Sequence, residues 1–257
     1  MKNPMELTGR TVMVTGAGQG IGLAIANAAL DLGANVVLVE RNAEALGTAM
    51  AAIDKDRSLA IPGDVSDPAF AQRAVAEAVA RFGALHGLVN NAGITRPAMI
   101  AKMTMPEWDS VIAVNLTGCY LMLQAVGQHM IARAKAGEAR PGAIVNISSV
   151  AGKKGSIGQI NYASAKAGLF GMTMSAAREW GRHGIRVNSI GFGMVETAMT
   201  ETARSDKFRD KYLEGIALAR FSTPEEVARP VCFLLSEAAS YVTAQNITAC
   251  GGMNLQP

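Results

Sequence analysis

Short aliphatic and β-branched runs alternate along the chain with longer segments whose apolar side chains recur every three or four positions. The runs are Thr11 to Thr15, Val36 to Glu40, Leu59 to Ile61, Leu88 to Val89, Ala143 to Ser148, Ile185 to Ile190 and Asn246 to Ala249. Runs of this kind, separated by helical periods, predict βαβ units and a parallel sheet covered by helices on both faces. Local chemistry marks the helix boundaries. Asp67-Pro68 reads as an N-cap and first helical residue, Thr104 to Glu107 as a capping box with proline in its first turn, and Gly33 and Gly184 as helix stops. The stretch from Ala134 to Gly142 reads as an exposed loop, and neither a repeat nor a low-complexity tract interrupts the pattern.

A chain of 257 residues with 49% hydrophobic content suits one α/β domain spanning residues 1–257. Its net charge of +3 arises from 24 basic and 21 acidic residues scattered along the sequence, which argues against a nucleic-acid partner. Cys119, Cys232 and Cys250 are far apart and form no CxxC, so a reducing cytoplasm is the expected location. His86, His129 and His183 stand apart from one another and from any carboxylate cluster, and no metal is expected. No signal peptide and no segment reaching the roughly 18 apolar residues of a membrane span are read from the sequence, so the expectation is neither export nor insertion.

Candidate chemistry begins directly after the first strand, where Gly16, Gly18, Gln19, Gly20, Ile21 and Gly22 open a helix with Ile25, Ala28, Ala29 and Leu32 on one face. Glycines let the backbone approach a pyrophosphate, while free N–H groups and the helix dipole supply positive potential. Eighteen residues beyond Gly22, Glu40 ends the second run, where a carboxylate that binds an adenosine ribose is expected. A tight strand-to-helix turn would need similar glycines, but the strand before, the helix after and Glu40 together favour a dinucleotide site.

Reduction of a carbonyl by hydride builds negative charge on oxygen, so it needs a proton donor, a polarising group and a charge that favours the donor's ionised form. Ser149, Tyr162 and Lys166 fit these roles, with Tyr162 and Lys166 one helical turn apart. Individually they are unremarkable, since a tyrosine and a lysine at that spacing often form a solvated helix face. Ser148 competes with Ser149 for the serine role.

The GxxxGxG spacing, Asn90-Asn91-Ala92-Gly93, Asp64-Val65, Asn115, Ser149, Tyr162 with Lys166, Val187-Asn188, Thr197 and Pro224 to Ala228 resemble, in this order, the short-chain dehydrogenase/reductase family. The resemblance implies a doubly wound Rossmann fold with a seven-stranded parallel sheet of order 3-2-1-4-5-6-7. It implies that Asp64 and Val65 contact adenine, that Asn91, Ala92 and Gly93 line the cofactor cleft, and that Val195 and Thr197 hold the nicotinamide carboxamide. Tyr162 would protonate the nascent alkoxide, Ser149 would hold the substrate oxygen, Lys166 would bind the nicotinamide ribose, and Asn115 would complete a proton relay from a bent helix. Ser149 is preferred to Ser148 because it stands 13 residues before Tyr162, the family's spacing.

The most similar subgroup is the 3-oxoacyl-(acyl-carrier-protein) reductases, which makes an acyl thioester the expected substrate; polyol, sugar and cyclic alcohol dehydrogenases are the alternative, and a non-catalytic nucleotide sensor is a third. Arg133, Lys135, Arg140, Arg182, Lys153 and Lys154 could form a basic rim for an acidic carrier or, equally, an ordinary wet surface. Glu40 favours NAD(H) by repelling a 2′-phosphate; Arg41 beside it could clamp that phosphate and admit NADP(H). Phe192 stands where the family usually has proline. The family's usual homotetramer would use Met122, Leu123, Val126, Leu169, Phe170 and Met172 as apolar surface.

Overall fold

The computed structural model describes residues 3–253. Seven strands, β1 (Thr11–Thr15), β2 (Asn35–Glu40), β3 (Ser58–Pro62), β4 (Gly87–Asn90), β5 (Gly142–Ser149), β6 (Ile185–Phe192) and β7 (Asn246–Ala249), form one parallel sheet of order 3-2-1-4-5-6-7. Each sequence-predicted run lies within one of these strands. β6 extends its run by two residues at one end, continuing through Phe192 and pairing that residue with Ala249.

Between the strands run α1 (Gly20–Asp31), α2 (Ala43–Ala51), α3 (Phe70–Phe82), α4 (Met105–Ile112), α5 (Cys119–Lys135), α6 (Ala151–Lys154), α7 (Ile160–Trp180), α8 (Glu201–Arg204), α9 (Asp206–Glu214) and α10 (Pro224–Leu235). Successive strand residues face opposite sides, so β1 divides its side chains between two cores. Val12 and Val14 pack with Ile25 of α1 and Val231 of α10. Met13 packs with Ala74 of α3, Met122 and Val126 of α5, and Ala176 of α7.

The Thr104 capping box is present at α4, and Gly33 and Gly184 both take positive φ after their helices, as their positions suggested. Asp67 behaves differently from expectation. Its carboxylate accepts from the Ala69 N–H at 3.0 Å and closes a turn, and α3 begins only at Phe70.

Two further expectations are corrected. Met105–Lys135 is a continuous helical run long and apolar enough to cross a membrane, although the sequence reading found no such segment. More than half of its apolar window is buried inside this fold, with Val111, Met122, Val126 and Met130 at 0% exposure. Met122, Leu123, Val126 and Leu169, expected at a subunit interface, are likewise core residues. The helical period marks a buried face but does not say whether another element of the same chain covers it.

Candidate active site

The carboxyl ends of the strands open onto a cleft of about 470 Å³. It gathers Gly16, Gln19, Gly20, Ile21, Gly22, Glu40, Arg41, Asp64, Val65, Asn91, Ala92, Gly93, Ser149, Tyr162, Lys166, Val195 and Thr197. Asn115 and, in the glycine turn, Gly18 lie outside this lining.

At one end, the β1–α1 turn leaves the first turn of α1 without a side-chain cap; Asn42, Thr104 and Thr223 cap α2, α4 and α10. The N–H groups at the start of α1 therefore remain available to an anion. Two glycines in the turn are required by close approach. A Cβ at Gly18 would stand 2.7 Å from Glu40 Cγ, and one at Gly22 would stand 2.1 Å from the Gly16 carbonyl oxygen. Glu40 is held over the turn, its carboxylate accepting from the N–H groups of Gly18 at 3.3 Å and Asn42 at 2.9 Å. Arg41 turns to Asp64, 3.3 Å away.

The floor is fastened by Asn91, expected at the cleft, together with Thr15, for which the sequence suggested no role. Thr15 Oγ1 accepts from the N–H groups of both Asn91 and Ala92 at 3.0 Å, while Asn91 Nδ2 donates to the Thr15 and Gly16 carbonyls at 2.9 and 3.2 Å. These bonds tie the end of β1 to the end of β4. On the far wall, Thr200 Oγ1 donates to the Val195 carbonyl at 2.5 Å and Arg204 donates to the Thr197 carbonyl at 3.1 Å. The Thr197-x-x-Thr200 spacing was the available signal, since both threonines belong to a cap.

The catalytic candidates come from β5 and α7. Ser148 is 2% exposed and donates to the Lys166 carbonyl at 2.8 Å, whereas Ser149 Oγ accepts from the Ala151 N–H at 3.1 Å and keeps its proton free for another acceptor. Lys166 is buried, donates through Nζ to the Ile147 carbonyl at 2.7 Å, and stands 5.7 Å from the Tyr162 ring centroid. Asn161, also missed, anchors the start of α7: its Nδ2 donates to the carbonyls of Arg96 at 2.9 Å and Glu107 at 3.0 Å.

Asn115 sits in a π-helical turn, Ala113–Gly118, between α4 and α5. Its amide pairs with both backbone groups of Ile94, accepting at 2.9 Å and donating at 3.0 Å. These two bonds tie the loop after β4 to the turn. Phe192 is buried and also lines the cleft, so it serves packing and the site together.

A second cleft, about 510 Å³, lies at the amino ends of β1, β4, β5 and β6. Its Arg10 and Arg140 share Glu237, and Arg186 spends its donors on the carbonyls of Leu234, Leu235, Ser236 and Val242. Arg140 therefore lies away from Tyr162 within this chain. Arg133 is bonded to Glu138 and to the Leu85 and Pro141 carbonyls, and Lys153 to Thr248, so these members of the expected basic rim are committed within the fold. Among the described residues no group of three His, Cys, Asp or Glu side chains could hold a metal ion.

Residues 16–254 match the family model described as enoyl-(acyl carrier protein) reductase. A 3-oxoacyl-[acyl-carrier-protein] reductase of Chlamydia trachomatis is 39% identical over 250 residues, covering 96% of this chain and 98% of its own. The chain belongs to the short-chain dehydrogenase/reductase family. The Staphylococcus aureus 3-oxoacyl-[acyl-carrier-protein] reductase is 40% identical over 253 residues, with 97% and 99% coverage. Among solved structures, one assigned as a short-chain alcohol dehydrogenase of Sinorhizobium meliloti superposes with a TM-score of 0.91 at 35% identity, covering 98% of each chain. Another, assigned as a 2-deoxy-D-gluconate 3-dehydrogenase of Agrobacterium tumefaciens with bound NADP, gives 0.88 at 36% identity, with 98% and 99% coverage.

As a short-chain dehydrogenase/reductase the chain is an NAD(P)-dependent oxidoreductase acting on CH–OH or carbonyl groups. Its cleft fits a dinucleotide: the uncapped start of α1 faces one end and a carboxylate is locked beside the turn.

Proposed function

We propose that this enzyme reduces the 3-oxo group of acyl thioesters carried by an acyl carrier protein, using NAD(H). The observation that carries the reading is the convergence of Ser149, Tyr162 and Lys166 beside the cradle, in a cleft lined in part by the exposed Met199, with Met99, Ile100 and Ile157 exposed on the loops that follow Ile94 and precede α7 and that are joined by the Ala98 N–H to the Gly158 carbonyl. Such loops suit an aliphatic acyl chain, and a polyol would gain little from them. Near-full-length similarity to 3-oxoacyl reductases supports the same substrate class.

A nicotinamide held in this cleft would supply or accept the hydride. Tyr162 donates its phenolic proton to the nascent alkoxide, and Ser149, whose Oγ–H is uncommitted, polarises the substrate oxygen. Lys166 has donors to spare beyond its bond to Ile147; these would hold the nicotinamide ribose, and its charge favours the tyrosinate that remains after proton transfer. The Asn115 turn offers backbone carbonyl oxygen for a water leading away from Lys166. Asp64 and Val65 would flank the adenine, and Val195 and Thr197 would hold the carboxamide.

Glu40 supports NAD(H), because a fixed carboxylate at the ribose end repels a 2′-phosphate while Arg41 is engaged elsewhere. NADP(H) is the competing reading, favoured by the NADP-bound relative. The enzyme is proposed to work in the cytoplasm as a homotetramer, joined through what α5 and α7 leave outside: Tyr120 and Met174 are exposed and Phe170 is half-buried.

Purified protein assayed with acetoacetyl thioesters, a polyol panel and both cofactors tests the reading. Faster turnover of the thioester with NADH is expected. Turnover confined to polyols or sugars would replace it with the dehydrogenase alternative.

A further inference from the structure

β2 ends at Glu40 and is followed at once by Arg41, a neighbour of opposite charge, and both line the cleft. Among the described residues they form no ion pair with each other. Arg41 reaches instead across to Asp64 beyond β3, pairing Nη1 with Oδ2 at 3.3 Å.

Asp64 is built to hold its side of that pair. Its Oδ1 accepts from the Ser66 N–H at 2.9 Å and from Ser66 Oγ at 2.6 Å, which fixes the carboxylate plane and leaves Oδ2 facing Arg41. Partial burial works to raise its pKa, but the hydrogen bonds from Ser66 and Arg41 outweigh it and keep the group below the ordinary carboxylate value. Glu40 is fixed as well, through the N–H groups of Gly18 and Asn42. Of the three charges at this end of the cleft, the Arg41 guanidinium is the most exposed, its side chain being 64% accessible and, among the described residues, paired only with Asp64.

From this arrangement we infer that Asp64 is a specificity-determining residue that withholds Arg41 from the ribose and so sets the choice between NAD(H) and NADP(H). A 2′-phosphate entering the cleft meets the Glu40 carboxylate and must compete with Asp64 for the single guanidinium in reach. The inference deepens the NAD(H) reading above and rests on it. It also predicts that the preference is graded, because an exposed pair holds its arginine only weakly.

The test is a fluorescence titration of the full chain with NADH and NADPH, with displacement by AMP and by adenosine 2′,5′-bisphosphate. Wild type, Asp64→Asn, Arg41→Ala and the double variant are compared. Asp64→Asn keeps an acceptor for Ser66 and removes the charge. It should improve binding of NADPH relative to NADH by about threefold to fivefold, the scale of one exposed ion pair. In the Arg41→Ala background the same substitution should change the ratio little. An equal shift in both backgrounds would overturn the inference, since Asp64 would then act only as a nearby negative charge; no shift in either would overturn it too. Ser66→Ala, which loosens Asp64 without removing it, should move the ratio a smaller distance the same way and serves if Asp64→Asn does not fold. The NAD(H) reading is judged separately, from the wild-type ratio alone; the Asp64–Arg41 coupling is the difference between backgrounds, whichever cofactor wild type prefers.

Discussion

The Lys166 ammonium stands 5.7 Å from the centroid of the Tyr162 ring while its Nζ donates to the Ile147 carbonyl at 2.7 Å. The strand thus fixes the lysine, and the lysine places its charge on the tyrosine. Lys166→Ala should lower turnover and also weaken cofactor binding, because one ammonium serves both. It strands the buried Ile147 carbonyl as well, at a cost of about 1–3 kcal/mol of stability. An unchanged dissociation constant for the cofactor would remove the ribose-binding role.

Tyr162→Phe deletes one oxygen from a half-buried ring and leaves the fold and cradle intact. Cofactor affinity should stay near wild type while kcat falls by about a hundredfold to ten-thousandfold, the range of general acid catalysis. Activity close to wild type in steady-state assays would show that the proton comes from another group.

Glu40→Ser removes the charge beside Gly18 and leaves Arg41 in place. The ratio of kcat/KM for NADPH over NADH should rise by about tenfold or more, corresponding to about 1.4 kcal/mol of relieved repulsion. If wild type already prefers NADPH, Glu40 is not the deciding group.

His86 provides a pH dependence unrelated to catalysis. Burial, aided by the charges of Arg133 and Arg10, lowers it from 6.5 to about 4, and its Nδ1 accepts from the Thr11 N–H at 3.1 Å. Unfolded chain takes up a proton that the folded state resists, so stability should decline as pH falls from about 6.5 to about 4 and lose no more through this group below that. Thermal unfolding of His86→Gln across this window should show a shallower decline in Tm than wild type; parallel slopes would assign the effect to other groups.

Tyr120 and Met174, exposed on α5 and α7, give the proposed tetramer an address. Light scattering should report four chains for wild type and a smaller species for Met174→Glu. A monomeric wild type at micromolar concentration would refute the assembly.

The sheet was legible because buried parallel strands leave uninterrupted aliphatic runs, and the cleft was legible because glycines, Glu40 and the Tyr162–Lys166 spacing sit at strand ends and on one helix. Three kinds of feature were not. Ser149 could be separated from Ser148 only by the family's spacing, since the two differ in what their hydroxyls meet in space: Ser148 reaches the Lys166 carbonyl across 18 residues of chain. Asn161 and Thr15 are ordinary polar residues whose partners lie on distant segments. The partners of the basic residues were not legible either, because sequence gives a charge without its partner: Arg133, Arg140 and Lys153 are each bonded within the fold.

The π-helical turn at Ala113–Gly118 is, in effect, one residue inserted into an otherwise regular helix. Deleting a single residue there would let α4 and α5 join as one unbroken α-helix, but every residue upstream would then swing by about 100° around the axis. The Glu107 carbonyl would leave Asn161, and the Asn115 amide would leave Ile94. A one-residue shortening of this helix should therefore unmake the site while sparing the sheet, which makes its length, as much as its composition, part of the catalytic design.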